Sequence, residues 1–157
     1  MQNLFYGHTR ATNVRIRESN LKIINKFTKY LKWPISPKAK KVQFKIINGY
    51  YPAAETLKKR FGFEVEPCCF CNADCETTEH LFYSCTVTSL FWQDVFEWIG
   101  NKIENITPFD KHQILLYKDN LSKEFSELVN IIIVLGKYHI HSSKWKNKHP
   151  SIVWFKN

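Results

Sequence analysis

The chain has 157 residues, of which 44% are hydrophobic, so it is long enough to fold around a core and too apolar to be disordered. Its longest apolar stretch, residues 131–136, is far too short to cross a bilayer, and the N-terminus shows no apolar signal-peptide block. The formal net charge of +9 is compatible with a polyanionic partner.

The distribution of charge is more informative than its total. Residues 1–65 hold 14 Lys and Arg against 3 Glu, a net +11, and residues 111–157 hold 8 against 3, a net +5. Residues 66–110 between them hold 1 Lys against 8 acidic residues, a net −7. Two basic segments around an acidic middle indicate either a polyanion bound across the first and last segments or an ordinary solvated basic surface. Charge alone does not separate the two interpretations.

The first part of the chain divides into an arm and a helix. Residues 1–19 show no clear periodicity and predict a poorly ordered N-terminal arm, to which we assign no function. We expect residues 20–157 to form one helical domain. From Asn20, apolar residues recur at helical spacing with lysines between them, which predicts a basic amphipathic helix to about Trp33, ended by Pro34.

Two more basic helices are predicted next. Ser36 and Pro37 form an N-cap and a first-turn proline, so they predict the start of a second helix, which Asn48-Gly49 ends. Pro52 predicts the start of a third helix, which ends at Gly62. The apolar residues of the third helix that we expect to face inward are Ala54, Leu57 and Phe61. The cationic side chains of the two helices are candidate contacts to nucleic-acid phosphates: Lys38, Lys40, Lys41, Lys45, Lys58, Lys59 and Arg60.

The five cysteines all lie between positions 68 and 85, and this clustering favours a metal site over a disulfide framework, which spreads its cysteines along a chain. The pattern C-x2-C-x8-H-x4-C supplies three thiolates and one imidazole, the Cys3His set of a tetrahedral structural zinc site, from Cys68, Cys71, His80 and Cys85. Such a site has no open coordination position, so it indicates scaffolding and not metal-assisted chemistry. It also indicates a reducing compartment, the cytosol or the nucleus.

Alternatives to this ligand set stay open at the level of sequence. Cys69 and Cys75 are surplus, and Cys75 could replace either Cys71 or His80; otherwise both are ordinary small thiols. His80 could be a lone core histidine. A cysteine beside a histidine could also act as a nucleophile, but four ligands around one metal are a simpler explanation of the same residues.

A short helix is predicted to carry His80, to be capped by Thr77 or Thr78 and to end at Cys85. Its expected core anchors are Leu81 and Phe82. The next segment keeps helical spacing, which predicts a core helix, through Val87, Leu90, Phe91, Val95, Trp98, Ile99 and Ile103. Two tryptophans of this acidic helix are interpreted as core residues and not as stacking platforms for bases: Trp92 and Trp98.

Two more helices follow. Thr107-Pro108 and Asp110 predict a helix start, followed by a brief buried element at residues 114–116. The last and most apolar helix begins at the cap Ser122 and is predicted to be central. Gly136 within it indicates close packing, because glycine weakens a helix by about 1 kcal/mol relative to alanine. Its basic end adds candidate phosphate contacts at Lys144, Lys146 and Lys148. Three histidines are interpreted as surface or helix-end residues: His139, His141 and His149.

These patterns predict an all-α fold, a small helical domain with an embedded Cys3His zinc-binding knuckle. The cysteine and histidine pattern, with Glu76-Thr77 and His80-Leu81-Phe82 inside it and Phe91-Trp92 after it, resembles the C-terminal zinc-binding region of reverse transcriptases from LINE-type non-LTR retrotransposons. The resemblance extends over about residues 30 to 150. It implies that Zn²⁺ is bound by Cys68, Cys71, His80 and Cys85.

In that family the region is thought to help the enzyme hold its RNA template or target DNA during target-primed reverse transcription. The resemblance therefore implies a non-catalytic nucleic-acid-binding module, whose partners are RNA or DNA and the remainder of a reverse transcriptase, with no membrane and no small-molecule substrate. The sequence shows neither a polymerase aspartate pair nor an endonuclease domain, so we expect no enzyme activity from it alone. The alternative is a structural or protein-interaction module that docks onto the polymerase body or a host partner.

Overall fold

The computed structural model of the protein describes four stretches of the chain, the last with side chains from residue 126 onward: residues 29–73, 75–103, 106–116 and 123–157. Over these stretches the chain forms helices and no strand, which confirms the all-α fold class. The chain divides into two units between Trp33 and Pro34. None of the described helices is long and apolar enough to span a membrane.

The described part of the first unit is a 3₁₀ helix, Lys29–Lys32. The predicted arm and the predicted amphipathic helix as far as residue 28 lie outside the described residues. Over the described residues the α-helix expected to reach Trp33 is instead this tighter turn, in which the Trp33 N–H donates to the Tyr30 carbonyl at 3.3 Å. The proline at position 34 disfavours α-helical geometry in the residue before it, which explains the difference.

The second unit begins with two short helices, α1 (Pro37–Ile47) and α2 (Ala54–Phe61). The predicted bounds of α1 are confirmed, because Ser36 Oγ accepts from the Ala39 N–H at 3.2 Å at its start and Asn48 is the C-cap at its end. Gly62 ends α2 in the left-handed region with a φ of 73°. The prediction that Phe61 faces inward is wrong, since its ring is exposed beside that of Phe63. Helical spacing fixes the direction of a side chain but not how far the core extends along a helix.

The core helix α3 (Thr86–Gly100) follows the metal-ligand segment as predicted. Its buried residues lie along one stripe: Thr88, Phe91, Trp92, Val95 and Ile99. Trp92 is a core residue, as predicted, and its indole N–H donates to the Phe82 carbonyl at 2.8 Å. Leu90 was expected in the stripe but is exposed, because the stripe is centred between Phe91 and Trp92.

The remaining helices are α4 (Lys111–Leu116), α5 (Lys123–Trp145) and α6 (Ile152–Phe155). The expected buried element is confirmed at Ile114, which is 1% exposed, whereas the proposed cap Ser122 lies outside the described residues. The longest helix, α5, packs along α1 and against α4. Gly136 sits where a Cβ atom would lie 2.5 Å from Trp92 Cη2, so the predicted close packing is confirmed.

One charged side chain of α5 is unexpectedly inside the protein. Lys137 is fully buried, and its ammonium donates to the Leu115 carbonyl at 3.4 Å. Burial lowers the pKa of Lys137 well below its usual value. This lysine therefore belongs to the packing of α5 against α4 and not to the basic surface.

Candidate metal centre and basic grooves

The four predicted ligand residues come together. The sulfur atoms of Cys68, Cys71 and Cys85 and a ring nitrogen of His80 all lie within 4.8 Å of one another. The sulfurs of Cys68 and Cys85 are 3.9 Å apart, and two sulfurs bound at about 2.3 Å to one tetrahedral zinc stand about 3.8 Å apart. Cys71 Sγ lies 3.2 Å from His80 Nε2. The donor set and its spacing therefore fit a zinc ion.

The first two ligands lie in a tight turn. The Cys68 carbonyl accepts from the Asn72 N–H at 2.8 Å, and the Cys68 N–H donates to the Ala73 carbonyl at 2.9 Å. Asn72 has a φ of 58°, a left-handed conformation that asparagine tolerates better than most residues. The N–H groups of Phe70 and Cys71 point at the Cys68 sulfur.

Burial raises the pKa of the Cys68 thiol to about 12, and the two N–H groups that point at the sulfur do not offset this effect. A thiolate in this buried position is therefore stable only beside a positive charge. A bound Zn²⁺ supplies that charge and deprotonates a coordinating thiol outright. The burial of Cys68 and Cys85 agrees with a structural metal centre, whose ligands are closed off from solvent.

The other two ligands are placed by a π-helical turn, His80–Ser84. Thr77 is the cap, since its hydroxyl accepts from the His80 N–H at 2.9 Å. The Cys85 N–H donates to the His80 carbonyl at 2.8 Å, an i→i+5 bond. In an α-helix two residues five positions apart differ by about 140° around the axis, whereas the wider turn returns Cys85 to the side of His80. The H-x4-C spacing did not reveal this geometry.

The surplus cysteines lie outside the cluster. Cys69 and Cys75 are both exposed, and neither belongs to the group of four ligand atoms. The predicted core anchors are confirmed, because Leu81 and Phe82 are both wholly buried. The metal-ligand segment is therefore fixed to the core by the two side chains that directly follow His80.

Glu76 fastens the metal-ligand segment to two helices. Its carboxylate, only 3% exposed, pairs with the ammonium of Lys144 near the end of α5. Its backbone carbonyl accepts from the Glu55 N–H in the first turn of α2 at 3.1 Å. Lys144 had been predicted to contact nucleic acid, and the structure places its ammonium against this buried carboxylate, with the side chain 18% exposed.

Two of the three histidines expected at the surface or at helix ends are partly buried instead. His141 Nδ1 lies 3.0 Å from the Tyr51 hydroxyl and 3.2 Å from Trp145 Nε1. The indole N–H can only donate, so Nδ1 accepts and the proton of the neutral ring sits on Nε2. His139 stacks on Phe91 at 5.4 Å between ring centroids. The two rings stand two positions apart, about 200° around α5, so this central helix turns them to different neighbours, His139 to Phe91 and His141 to Tyr51.

A basic groove lies between α1 and the C-terminal end of α5. Its volume is about 340 Å³, and its charged lining consists of four of the predicted contact residues: Lys38, Lys41, Lys45 and Lys146. The three lysines of α1 stand at positions i, i+3 and i+7, so they share one face of that helix. The aromatic lining consists of Tyr138, His141 and Trp145. We call this the first groove.

A second groove, of about 330 Å³, adjoins the first at the end of α5. Lys146 lines both grooves, so the two adjoin at that side chain. The other lining residues of the second groove include the predicted contact Lys148 together with Ser142, His149, Ser151 and Trp154. The Ser151 hydroxyl caps α6 by accepting from the Val153 N–H at 3.3 Å.

The basic end of α2 lies elsewhere. Lys58, Lys59 and Arg60 line neither groove. Lys59 pairs with Glu55 at 2.6 Å, and the Arg60 guanidinium lies over the ring of Tyr50, 4.4 Å from its centroid. Lys40 is partly buried and also lines neither groove. The ten predicted contacts therefore fall on more than one surface.

Residues 9–92 match a family described as zinc-binding in reverse transcriptase, which is more than half of the chain and includes all four candidate ligands. No catalytic reverse-transcriptase domain is matched. No curated protein matches the chain, and no solved structure matches it.

Proposed function

Because the chain belongs to the family of zinc-binding domains of reverse transcriptases, we propose that it is a zinc-stabilised module that binds nucleic acid and catalyses no reaction itself. Its place would be in a LINE-type retrotransposon reverse transcriptase, where it holds the RNA template or the target DNA. The match to the family supports the zinc-binding part of the proposal, and the basic first groove supports the nucleic-acid part.

The metal would have a structural role. Three thiolates and one imidazole fill a tetrahedral shell, so a substrate has no coordination position to occupy. Cys71 and His80 lie at the distance of a nucleophile and its base, but the same two atoms also face the sulfurs of Cys68 and Cys85. Structural zinc contributes free energy to folding, and here it would fix the segment that carries Phe82 and Glu76.

The first groove is the observation that carries the nucleic-acid part. Four lysines line one concavity whose lining includes no acidic residue, and the buried carboxylate of Glu76 is paired with Lys144. Phosphates that enter such a groove displace counterions, so the affinity falls steeply as salt is added. An ordinary solvated basic surface would spread its cations and would not gather them in one groove from helices far apart in sequence.

A salt titration with variants tests the proposal. The zinc-loaded full chain is titrated with labelled RNA and DNA at several salt concentrations, together with the triple variant Lys38→Gln, Lys41→Gln, Lys45→Gln. A matched control neutralises three lysines outside both grooves: Lys102, Lys111 and Lys156. Each phosphate contact adds about 0.7 to the salt slope on a single strand, so the groove variant should lose about 2 from its slope. Wild-type protein that binds no better than a neutral protein would disprove the proposal.

A protein-docking module is the second candidate, and one surface favours it. Phe61, the last residue of α2, and Phe63 are both exposed with ring centroids 5.9 Å apart, an apolar pair on either side of Gly62. Changing both to serine should leave nucleic-acid affinity unchanged. A loss of binding to the polymerase body in that variant, with no effect of the lysine changes on any nucleic acid, would favour this second function.

A further inference from the structure

We infer that the two adjoining grooves form one track for a single-stranded nucleic acid, in which bases stack on Trp145 and Trp154 while phosphates meet the lysines. The inference rests on the proposed function and names its ligand more closely. No base-stacking residue is expected from the sequence, where the tryptophans of α3 are core residues.

Trp145 provides the stacking surface of the first groove. It is 66% exposed, although tryptophan is a costly side chain to leave in water. Its orientation is fixed, because its indole N–H donates to His141 Nδ1, which in turn is held by the buried Tyr51 hydroxyl. The ring therefore stands as a preorganised apolar face in the groove that Lys41 and Lys146 also line.

Trp154 provides the corresponding surface of the second groove. It is 73% exposed, the most exposed of the large apolar side chains described. The next residue anchors it, since the ring of Phe155 packs edge-on against Phe91 at 5.5 Å and Trp98 at 6.3 Å. Each groove thus combines an exposed tryptophan on an anchored helix with lysines, and Lys146 lies between the two.

This pairing of aromatic faces with cations selects single strands. Groove volumes of about 340 and 330 Å³ fall at the low end of ligand pockets, about 300–1,000 Å³, which suits one nucleotide in each groove. In a duplex each base face is covered by its neighbours, and exposing one costs a few kcal/mol. Stacking on aromatic rings beside a basic groove is the usual mode of binding single strands without sequence preference.

The test compares strand forms and tryptophan variants on the zinc-loaded full chain. Fluorescence anisotropy is measured with labelled 12-nucleotide RNA and DNA and with duplexes of the same sequence. Single strands should bind more tightly than duplexes, and Trp145→Ala and Trp154→Ala should each weaken single-strand binding roughly 5- to 150-fold. Trp145→Phe should restore most of the loss. Leu90→Ala, a change at another exposed apolar side chain, is the matched control and should have no effect.

The salt dependence of binding separates this inference from the proposed function on which it rests. Tryptophan variants should weaken binding equally at every salt concentration, because their phosphate contacts remain, whereas lysine variants should flatten the slope. Salt-dependent binding that is equal for duplex and single strand, or unchanged in both alanine variants, would overturn the track and leave the proposed function intact. Wild-type protein that binds no nucleic acid would overturn both.

Discussion

The Tyr51 hydroxyl and His141 Nδ1 lie 3.0 Å apart, although ninety positions separate them in the sequence. Tyr51 is 1% exposed, and its ring packs edge-on against Phe82 at 4.7 Å between centroids. Phe82 belongs to the turn that carries His80, and His141 holds the indole of Trp145. A continuous set of contacts therefore runs from the candidate metal centre to the first groove.

Replacing Tyr51 by phenylalanine should remove one donor from this set and keep the ring packing. We expect the free energy of unfolding to fall by about 0.5–1.5 kcal/mol, as for a typical intramolecular hydrogen bond, because Trp145 still donates to the imidazole. Urea unfolding measures this change. Tyr50→Phe is the control, since the Tyr50 ring is exposed and its contact with Arg60 does not need the hydroxyl. Equal losses in the two variants would contradict the assigned role of the Tyr51 hydroxyl.

The environment of His141 should make the protein less stable in mild acid. Burial, followed by Lys45 and Lys144, lowers the pKa of His141. The unfolded chain binds a proton near pH 6.5, whereas the folded ring does so only at lower pH. Stability from this residue is therefore complete above about pH 6.5 and is lost as the pH falls toward the folded-state pKa.

Urea unfolding at pH 7.5 and pH 5.5 checks this dependence. The loss of unfolding free energy on acidification should be smaller in His141→Gln than in the wild type, because glutamine does not titrate. Release of zinc by acid affects both proteins and cancels in the difference. If the two proteins lose the same free energy between the two pH values, the imidazole does not contribute as described.

The loss of Lys144 and the loss of Glu76 from their ion pair should lower the stability of the protein by different amounts. Lys144→Met leaves a carboxylate that is 3% exposed without its cation, and breaking a buried pair in this way costs about 3–5 kcal/mol. Glu76→Gln should cost less, because the longer and more exposed lysine side chain can turn to solvent. The double variant should recover part of the Lys144→Met loss. Thermal unfolding of the three variants measures the coupling, and equal, additive losses would contradict it.

Removal of the metal should affect both the fold and the first groove. Metal analysis should find about one zinc per chain, and chelation should unfold the ligand segment and with it the packing of Phe82 on Tyr51. Cys68→Ser should reproduce this loss. Cys69→Ser is the matched control, because the neighbouring thiol is exposed and lies outside the ligand cluster. Zinc content that falls equally in the two variants would contradict the ligand set.

The parts of this structure that sequence predicts are those with local causes. Ser36, Pro37 and Asn48 carry the signals for both ends of α1, and each acts within one turn of its own position. The four ligands lie within eighteen consecutive positions, so their spacing alone identifies them as a candidate metal site.

The parts that sequence does not predict depend on packing between distant segments. The first groove exists only because α1 lies beside the end of α5, and no pattern in the sequence indicates that residues 45 and 146 line the same groove. Lysine is normally a surface residue, but Lys137 is buried because of its position on α5. The π-helical turn replaces a predicted α-helical one, and its wider spacing lets His80 and Cys85, five positions apart, face the same candidate metal centre.

Gly136 tests whether packing or helix propensity decides the stability of α5. Alanine would favour the helix by about 1 kcal/mol, but its Cβ would lie 2.5 Å and 2.8 Å from two atoms of the buried Trp92 ring. That ring cannot move freely, because its N–H is held by the Phe82 carbonyl, so overpacking should cost about 1–3 kcal/mol and exceed the gain. Gly100→Ala is the control, since its nearest neighbour would be Ile106 at 3.7 Å, an ordinary contact. Urea unfolding should show Gly136→Ala destabilised and Gly100→Ala unchanged or slightly stabilised; a stabilised Gly136→Ala would mean that α3 and α5 are packed less closely than the structure shows.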